Sequence, residues 1–291
     1  MIPAAFDYVV PQTLDEAVRT LADHGEDAKI LAGGQSLLPL LKQRLVQPKL
    51  LIDLAEMSAL SGIGQQDDKI VIGALTTHYQ IESSELLKKK CPLLPQTARA
   101  IGDVQVRNRG TIGGSLSHAD PAADWPAAIL ALGAELTLRG PKGERRLGAE
   151  EFFLGAMTTA IEPTEILTEI CVPVASRRAG SAYQKMAQRA SGFAIVGVAV
   201  SLKMAAQGIC QDIRIGVTGL SDKAFRAHPV EERLRGNKLV ARLIEASAAT
   251  VADGVDPLED LQAGAQFRAH LARVYAARAI QEAAKTAGRS R

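Results

Sequence analysis

The sequence predicts an α+β fold: a two-part N-terminal domain, with a small α/β unit and then an α+β unit, and a C-terminal domain with a three-stranded antiparallel sheet and helices. Helical and short strand-like patterns alternate in residues 1–57, which indicates the α/β unit. Three apolar runs with short connections in residues 181–218 indicate the antiparallel sheet. The 291 residues also exceed the size at which one core usually stays efficient.

The first unit begins with a predicted helix over Asp15–His24, where Thr13 and Glu16 have the spacing of a capping box. Gly25 can end this helix. A second helix is expected over Ser36–Leu45. The two strands of this unit should pair in parallel because a helix connects them; they are Lys29–Ala32 and Leu50–Leu54.

The second unit, residues 58–175, mixes helices and strands without regular alternation. Its helices are predicted at Tyr79–Leu87, Leu93–Ile101 and Trp125–Gly133, and its strands at Lys69–Gly73, Ala134–Arg139, Glu144–Leu147 and Ile166–Val172. The polar stretch Ala175–Gly180 is the best linker in the chain, so the N-terminal domain is expected to end at residue 175.

Residues 176–291 form the expected C-terminal domain. Its strands are predicted at Ser181–Met186, Ala194–Met204 and Cys210–Thr218, and its helices at Leu239–Ala252 and Phe267–Ala284. The polar tail, Lys285–Arg291, is expected to fray.

Composition excludes several classes of function. The net charge is only +2 and no basic stripe is interleaved with aromatics, so no nucleic acid partner is expected. No apolar stretch reaches the roughly twenty residues of a transmembrane segment. The first residues lack an export signal, which makes the cytoplasm the expected location. Cys91, Cys171 and Cys210 are far apart, which argues against a disulfide, zinc or iron–sulfur site in this chain.

The first candidate site is Ala32–Ser36, with the sequence Ala-Gly-Gly-Gln-Ser, between a predicted strand and a predicted helix. Glycine permits positive φ and close backbone approach, and successive N–H groups ahead of a helix can bind an anion such as pyrophosphate. A tight turn with Ser36 as the N-cap explains the same residues. Taken alone, the segment favours that plainer interpretation.

The second candidate site, Asp103–Pro126, combines glycines, hydroxyls, arginines and aspartates in a segment too polar for a core. Such a composition is typical of a loop that binds a polar ligand. It includes a second glycine turn, Thr111–Ser115. Asp120 can simply cap the proline turn that follows it, and Arg107 and Arg109 can pair with surface carboxylates. The residues by themselves indicate a phosphate-containing cofactor.

Together, Ala-Gly-Gly-Gln-Ser-Leu-Leu-Pro at residues 32–39 and Gln-Val-Arg-Asn-Arg-Gly-Thr-Ile-Gly-Gly-Ser at residues 105–115 closely resemble the FAD-binding medium subunits of the carbon monoxide dehydrogenase and xanthine dehydrogenase family. The likeness covers nearly the whole chain. Many relatives have His in place of Gln35 and Asn in place of Ser115. Both replacements keep hydrogen-bonding capacity.

The resemblance implies that both glycine segments bind the FAD pyrophosphate, mainly through backbone N–H groups. It implies that Asp124 bonds a polar part of the cofactor, that Ile166–Leu167 cover the flavin or adenine, and that Lys185 reaches the flavin from the C-terminal domain. Phe193 stands where relatives often have Tyr or Trp near the flavin. No catalytic or metal-binding residue is implied. The implied cofactor-binding residues are Ala32, Gly33, Gly34, Gln35, Ser36, Thr111, Ile112, Gly113, Gly114, Ser115, Asp124, Ile166, Leu167 and Lys185.

By the same resemblance, the chain is the electron-transfer subunit of a molybdenum hydroxylase. No histidine stands inside either glycine segment, so FAD is expected to bind non-covalently. A large partner subunit carries the molybdenum cofactor and hydroxylates the substrate, and a small partner subunit carries [2Fe–2S] clusters. Electrons then pass through this chain to an external acceptor, in a complex that is a dimer of heterotrimers. Two alternatives stay open: a self-sufficient flavin oxidoreductase and a cofactor-free assembly module.

Overall fold

The computed structural model describes residues 2–289. The first unit consists of β1 (Asp7–Val9), α1 (Leu14–His24), β2 (Ala28–Leu31), α2 (Leu37–Lys42) and β3 (Leu50–Asp53). Its three strands form a parallel sheet in the order β1–β3–β2, so the predicted parallel pairing of the second and third strands is confirmed. The sequence analysis missed β1, because it has three mostly exposed residues and no apolar alternation.

The start of α1 follows the predicted cap with one difference. The Thr13 hydroxyl accepts from the Glu16 N–H at 3.2 Å, as the capping-box spacing predicts. The Glu16 carboxylate accepts from the Gln12 N–H at 2.7 Å rather than from that of Thr13. Both hydrogen bonds satisfy N–H groups that have no carbonyl partner in the helix, and they fix the residue at which α1 begins.

The second unit is built on a five-stranded antiparallel sheet in the order β4–β5–β10–β6–β7, plus a small β8–β9 pair. The strands are β4 (Ile63–Gln66), β5 (Lys69–Gly73), β6 (Glu135–Gly140), β7 (Gly143–Gly148), β8 (Phe153–Gly155), β9 (Thr158–Thr159) and β10 (Ile166–Pro173). The helices are α3 (His78–Ser83), α4 (Glu85–Lys90), α5 (Leu93–Ala100), α6 (Val104–Arg109), α7 (Ile112–His118), α8 (Trp125–Leu132) and α9 (Ala149–Phe152).

Three predictions for this unit were wrong in detail. The helix expected over Tyr79–Leu87 is broken at Ser84, whose ψ of 114° is extended and whose hydroxyl caps α4 by accepting from the Leu87 N–H. The polar segment before the second glycine pair is helical (α6), capped by Asp103. The expected glycine turn at Thr111–Ser115 is the first turn of α7, with Thr111 as its N-cap.

The third unit is an antiparallel sheet in the order β11–β12–β13–β14, covered by helices. Its elements are β11 (Ala179–Ala187), β12 (Ala194–Met204), β13 (Cys210–Thr218), β14 (Phe225–Arg226), α10 (His228–Leu234), α11 (Ala241–Ala248) and α12 (Ala265–Arg289). The three predicted strands are confirmed; β14 adds a fourth, two residues long, and α10 was also missed. The tail expected to fray continues α12 to Arg289, while residues 290 and 291 lie outside the described part.

Two glycines, which have no Cβ, let helices pack directly against the two faces of this sheet. A Cβ on Gly216 would stand 2.0 Å from the carbonyl oxygen of Ala127 in α8, and a Cβ on Gly180 would stand 2.0 Å from that of Ala283 in α12. All eight residues of α8 are buried. The helix α8 therefore joins the second unit to the third. Within residues 2–289, no helix combines the length and apolarity that a membrane crossing needs.

Candidate cofactor-binding site

One large cavity, of about 880 Å³, opens between the first and second units, with one loop of the third unit at its edge. This volume is near the upper end of the ~300–1,000 Å³ typical of ligand pockets. Most of the sequence-predicted site residues line this cavity: Ala32, Gly33, Gly34, Gln35, Ser36, Thr111, Gly113, Gly114, Ser115, Asp124, Ile166 and Leu167. Ile112 and Lys185 do not line it.

The first glycine segment, residues 32–36, is an open loop between β2 and α2. Gly34 has a φ of +73°, which favours glycine. The N–H groups of residues 33–36 donate to no acceptor in the described part of the chain. Ser36 occupies the N-cap position of α2, but its side chain makes no cap hydrogen bond there. The plainer interpretation of Ser36 as a cap is therefore wrong, and the loop offers several free donors to a ligand.

The two glycine segments touch each other. A Cβ on Gly33 would stand 2.1 Å from the carbonyl oxygen of Arg109, and a Cβ on Gly114 would stand 3.8 Å from the Cβ of Ala32. Gly33 thus permits the close approach that the sequence predicted, but the approaching group is the backbone beside the second segment. This contact holds the two segments on one wall of the cavity.

The second segment uses its backbone N–H groups within the protein. The N–H of Ile112 donates to the Thr76 carbonyl at 3.0 Å, and that of Gly113 donates to the Ala74 carbonyl at 2.8 Å. The N–H of Gly114 donates to the Thr111 hydroxyl at 3.1 Å. These three groups are engaged within the protein, whereas the Thr111 N–H donates to no described acceptor, so the expected role of this segment in binding pyrophosphate stays a prediction. The Ile112 side chain is fully buried in the core.

Asp124 and Lys185 form a buried ion pair at the wall of the cavity. The Lys185 Nζ lies 2.8 Å from one Asp124 oxygen and also donates to the Gly192 carbonyl at 2.6 Å. The Tyr183 hydroxyl donates to the same carboxylate. Burial raises the pKa of the Asp124 carboxyl, and its contacts with Lys185 and Tyr183 offset part of that rise. Lys185 therefore contacts Asp124 and the loop before Phe193, instead of lining the cavity as expected.

His78 is a lining residue that the sequence analysis did not single out. Its Nδ1 lies 3.1 Å from the Trp125 Nε1, and because indole can only donate, Nδ1 must accept. Burial, with the Arg107 charge second, lowers the His78 pKa to about 4. The ring is therefore neutral with its proton on Nε2, which makes no hydrogen bond with any described residue. No local sequence pattern signals this donor, because Trp125 is distant in sequence.

A further stretch of the lining, the loop from Thr159 to Glu165 before β10, was also missed. The loop Ser191–Phe193 of the third unit contributes as well, and the sequence analysis singled out Phe193 in it. The Phe193 ring is 44% exposed at the cavity edge. The plainer interpretations of two polar residues of the second candidate site, Asp103–Pro126, are confirmed. Asp120 accepts from the Ala122 N–H at 2.8 Å, and Arg107 pairs with Glu82 at 2.8 Å.

The donor set of this cavity fits a pyrophosphate-containing dinucleotide. Free N–H groups and the free hydroxyls of Ser36 and Ser115 lie along one side, where an anion would need them. Apolar surface from Ile166 and Leu167 suits a ring system. The carboxylate at the wall, that of Asp124, is compensated by Lys185.

Two family models match nearly the whole chain. The model described as "FAD binding domain in molybdopterin dehydrogenase" matches residues 4–175, and "CO dehydrogenase flavoprotein C-terminal domain" matches residues 181–283. Among similar proteins, the alpha subunit of the 6-hydroxypseudooxynicotine dehydrogenase complex of Paenarthrobacter nicotinovorans is 39% identical over 97% of this chain and 96% of its own. The carbon monoxide dehydrogenase medium chain of Hydrogenophaga pseudoflava is 38% identical, over 97% and 98%.

Solved structures of the same kind of protein match the fold of this chain. Carbon monoxide dehydrogenase from Hydrogenophaga pseudoflava superposes with a TM-score of 0.94 at 39% identity, covering 97% of this chain and 98% of that one. Quinoline 2-oxidoreductase from Pseudomonas putida 86 superposes with a TM-score of 0.93 at 33% identity, covering 99% of each. With both glycine segments on one cavity wall, these matches establish that the chain belongs to the family of FAD-binding medium subunits of molybdenum-containing dehydrogenases.

Proposed function

We propose that this chain receives electrons from the [2Fe–2S] clusters of a partner subunit and passes them to an external acceptor. Bound FAD supplies the redox chemistry for this transfer. The observation that carries the proposal is the row of unengaged N–H groups at residues 33–36 in a cavity of about 880 Å³. Such donors bind a pyrophosphate without any covalent bond.

Each part of the cavity has a proposed role in holding FAD. The N–H groups of residues 33–36 bind the pyrophosphate, and the hydroxyls of Ser36 and Ser115 add hydrogen bonds. Ile166 and Leu167 cover a ring of the cofactor. Residues 112–114 support the first segment by packing against it rather than by donating N–H groups. Asp124 and Lys185 hold the loop Ser191–Phe193 at the cavity edge through the Gly192 carbonyl.

His78 adds one more donor to this proposal. Its Nε2–H is fixed because Trp125 occupies Nδ1, and the ring lines the same cavity. A neutral N–H donor can bond a cofactor oxygen or nitrogen without adding charge to the site.

The working complex in this proposal contains a large molybdenum subunit and a small iron–sulfur subunit, as a dimer of heterotrimers in the cytoplasm. Within the chain, residues 1–175 form the FAD-binding domain, divided near residue 57, and residues 176–291 form the C-terminal domain. The names of relatives support an assembly of several chains, since they include medium chains and subunits of complexes.

The substrate is selected outside this chain in the same proposal. Relatives of similar identity are named for very different substrates: carbon monoxide at 38%, glyceraldehyde at 37% and caffeine at 36%. Substrate discrimination requires contacts that differ between substrates. A medium chain that stays this similar while substrates change does not provide those contacts.

The test is to purify the chain, reconstitute it with FAD, precipitate it with acid and measure flavin absorbance in the supernatant. Release of flavin supports non-covalent binding. The chain is then combined with its partner subunits, and the flavin band should bleach when substrate is added. Bleaching without the partners would indicate a self-sufficient flavin oxidoreductase. Absence of flavin even with the partners would indicate an assembly module and overturn the proposal.

A further inference from the structure

A second cavity, of about 270 Å³, lies between the N-terminal units and the C-terminal sheet. It is at the end of α8 opposite the FAD cavity. Trp125 begins α8 next to Asp124, which lines the FAD cavity, and Leu132 ends α8 and lines the second cavity. Because a helix of eight residues is about 12 Å long, the two cavities are separate sites.

The floor of this cavity is a polar patch on three neighbouring strands. Ser181 of β11 pairs with Ser201 of β12, which pairs with Arg214 of β13. Lys203 lies two residues beyond Ser201 on β12, and it pairs with Asp212 on β13. Side chains two residues apart point to the same face of a sheet. All five residues line the cavity, so hydroxyl and cationic groups are concentrated on its floor.

Two polar groups of this floor lack a partner within residues 2–289. Ser181 is 8% exposed, and its hydroxyl oxygen makes no hydrogen bond but is closed to solvent, so a ligand in the cavity does not reach it. Lys203 forms no ion pair with a described residue. The carboxylate beside it, Asp212, is engaged by Arg235 at 3.3 Å and lies 3.9 Å from Arg214. The floor therefore has positive charge and donors in excess.

The opposite wall is apolar and comes from α5, α8 and the segment after β10: Leu93, Leu132, Pro173 and Val174. The volume is just below the ~300–1,000 Å³ typical of pockets for drug-sized ligands. The occupant is therefore small, with an anionic end and an apolar body. We propose that this cavity binds a small organic carboxylate, whose carboxylate contacts Ser201 and Lys203 and whose apolar part packs on the wall.

The test is calorimetric titration of the FAD-loaded full chain with benzoate, and with benzamide as the uncharged molecule of the same shape. Benzoate should bind saturably, and benzamide about tenfold more weakly because it lacks the charge-assisted hydrogen bonds. Lys203→Gln should weaken benzoate binding about fivefold, since it removes a half-buried charge contact. Ser201→Ala should also weaken it, because the Ser201 hydroxyl lines the cavity and is only half-buried. Lys142→Gln is the matched control, because Lys142 is exposed in the turn between β6 and β7.

Four outcomes would overturn the proposal: no saturable heat with benzoate, equal binding of benzoate and benzamide, equal effects of Lys203→Gln and Lys142→Gln, or saturation by inorganic phosphate without benzoate binding. Flavin absorbance is recorded for each sample. A variant that loses benzoate binding but keeps its flavin separates this site from the FAD cavity, so the result does not depend on the electron-transfer proposal.

Discussion

The two glycine segments are alike in sequence, yet their backbone N–H groups differ. Those of residues 33–36 are unengaged, whereas those of residues 112–114 all donate within the protein. The difference comes from the surroundings. The first segment is an open loop before α2, while the second is the first turn of α7, bonded to the chain between β5 and α3. A glycine pair in a sequence therefore does not distinguish a ligand loop from a packing contact.

Gly33→Ala should have the largest effect, because it breaks the contact between the two segments. The new Cβ would stand 2.1 Å from the Arg109 carbonyl oxygen, too close to remain without a backbone shift. We expect loss of bound FAD and a fall of more than about 3 kcal/mol in the free energy of unfolding. Flavin absorbance and urea unfolding measure the two effects. Gly64→Ala is the control, since no atom lies within 4 Å of its added Cβ. Normal FAD content in Gly33→Ala would contradict the close contact between Gly33 and Arg109.

His78→Gln tests whether the imidazole is held neutral. The His78 Nδ1 accepts from the Trp125 Nε1–H at 3.1 Å, and the buried imidazole has a pKa of about 4 instead of 6.5. Between these values the unfolded chain binds a proton that the folded chain does not, so stability falls as pH drops from 6.5 to 4.

From pH 7 to pH 5, this linkage should lower the free energy of unfolding by about 2 kcal/mol. Urea unfolding of the FAD-loaded chain at the two pH values should show that loss, and His78→Gln should remove it. The exposed His270→Gln is the control. An unchanged pH dependence in His78→Gln would mean that the imidazole is not held neutral.

Thr111→Val should affect stability more than cofactor binding. The Thr111 hydroxyl accepts from the Gly114 N–H at 3.1 Å and caps α7. Removing the cap should lower the free energy of unfolding by about 1 kcal/mol. Urea unfolding without FAD measures this, and calorimetry should show little change in FAD affinity. A large loss of affinity with unchanged stability would mean that the second segment donates to the cofactor after all.

Ser36→Ala should affect FAD affinity more than stability, and its effects should be the smallest among these variants. The Ser36 hydroxyl makes no cap bond, so stability without FAD should change by less than about 0.5 kcal/mol. FAD affinity should fall about fivefold, the effect of one net hydrogen bond of ~1 kcal/mol. Titration of the apoprotein with FAD checks this. An unchanged FAD affinity would show that the Ser36 hydroxyl does not contact the cofactor.

Local sequence patterns predicted most of the elements well. The strand Lys69–Gly73 has the predicted bounds, and α8 ends at Leu132 with Gly133 as its C-cap, whose φ of +60° is the left-handed conformation that glycine tolerates. These signals succeed because apolar spacing, caps and helix-ending glycines act within a few residues. The break at Ser84 and the helix α6 were missed, since a polar segment with its own caps gives no apolar period to detect.

The sequence by itself determined the family, the cofactor and twelve of the residues that line one cavity, because two long motifs carry that information. Only the tertiary structure decided which polar groups are free. It paired Lys185 with Asp124, fixed the proton of His78 through Trp125, and engaged the N–H groups of the second segment. The physical reason is that a donor becomes available or occupied through partners far away in sequence, which no local pattern records.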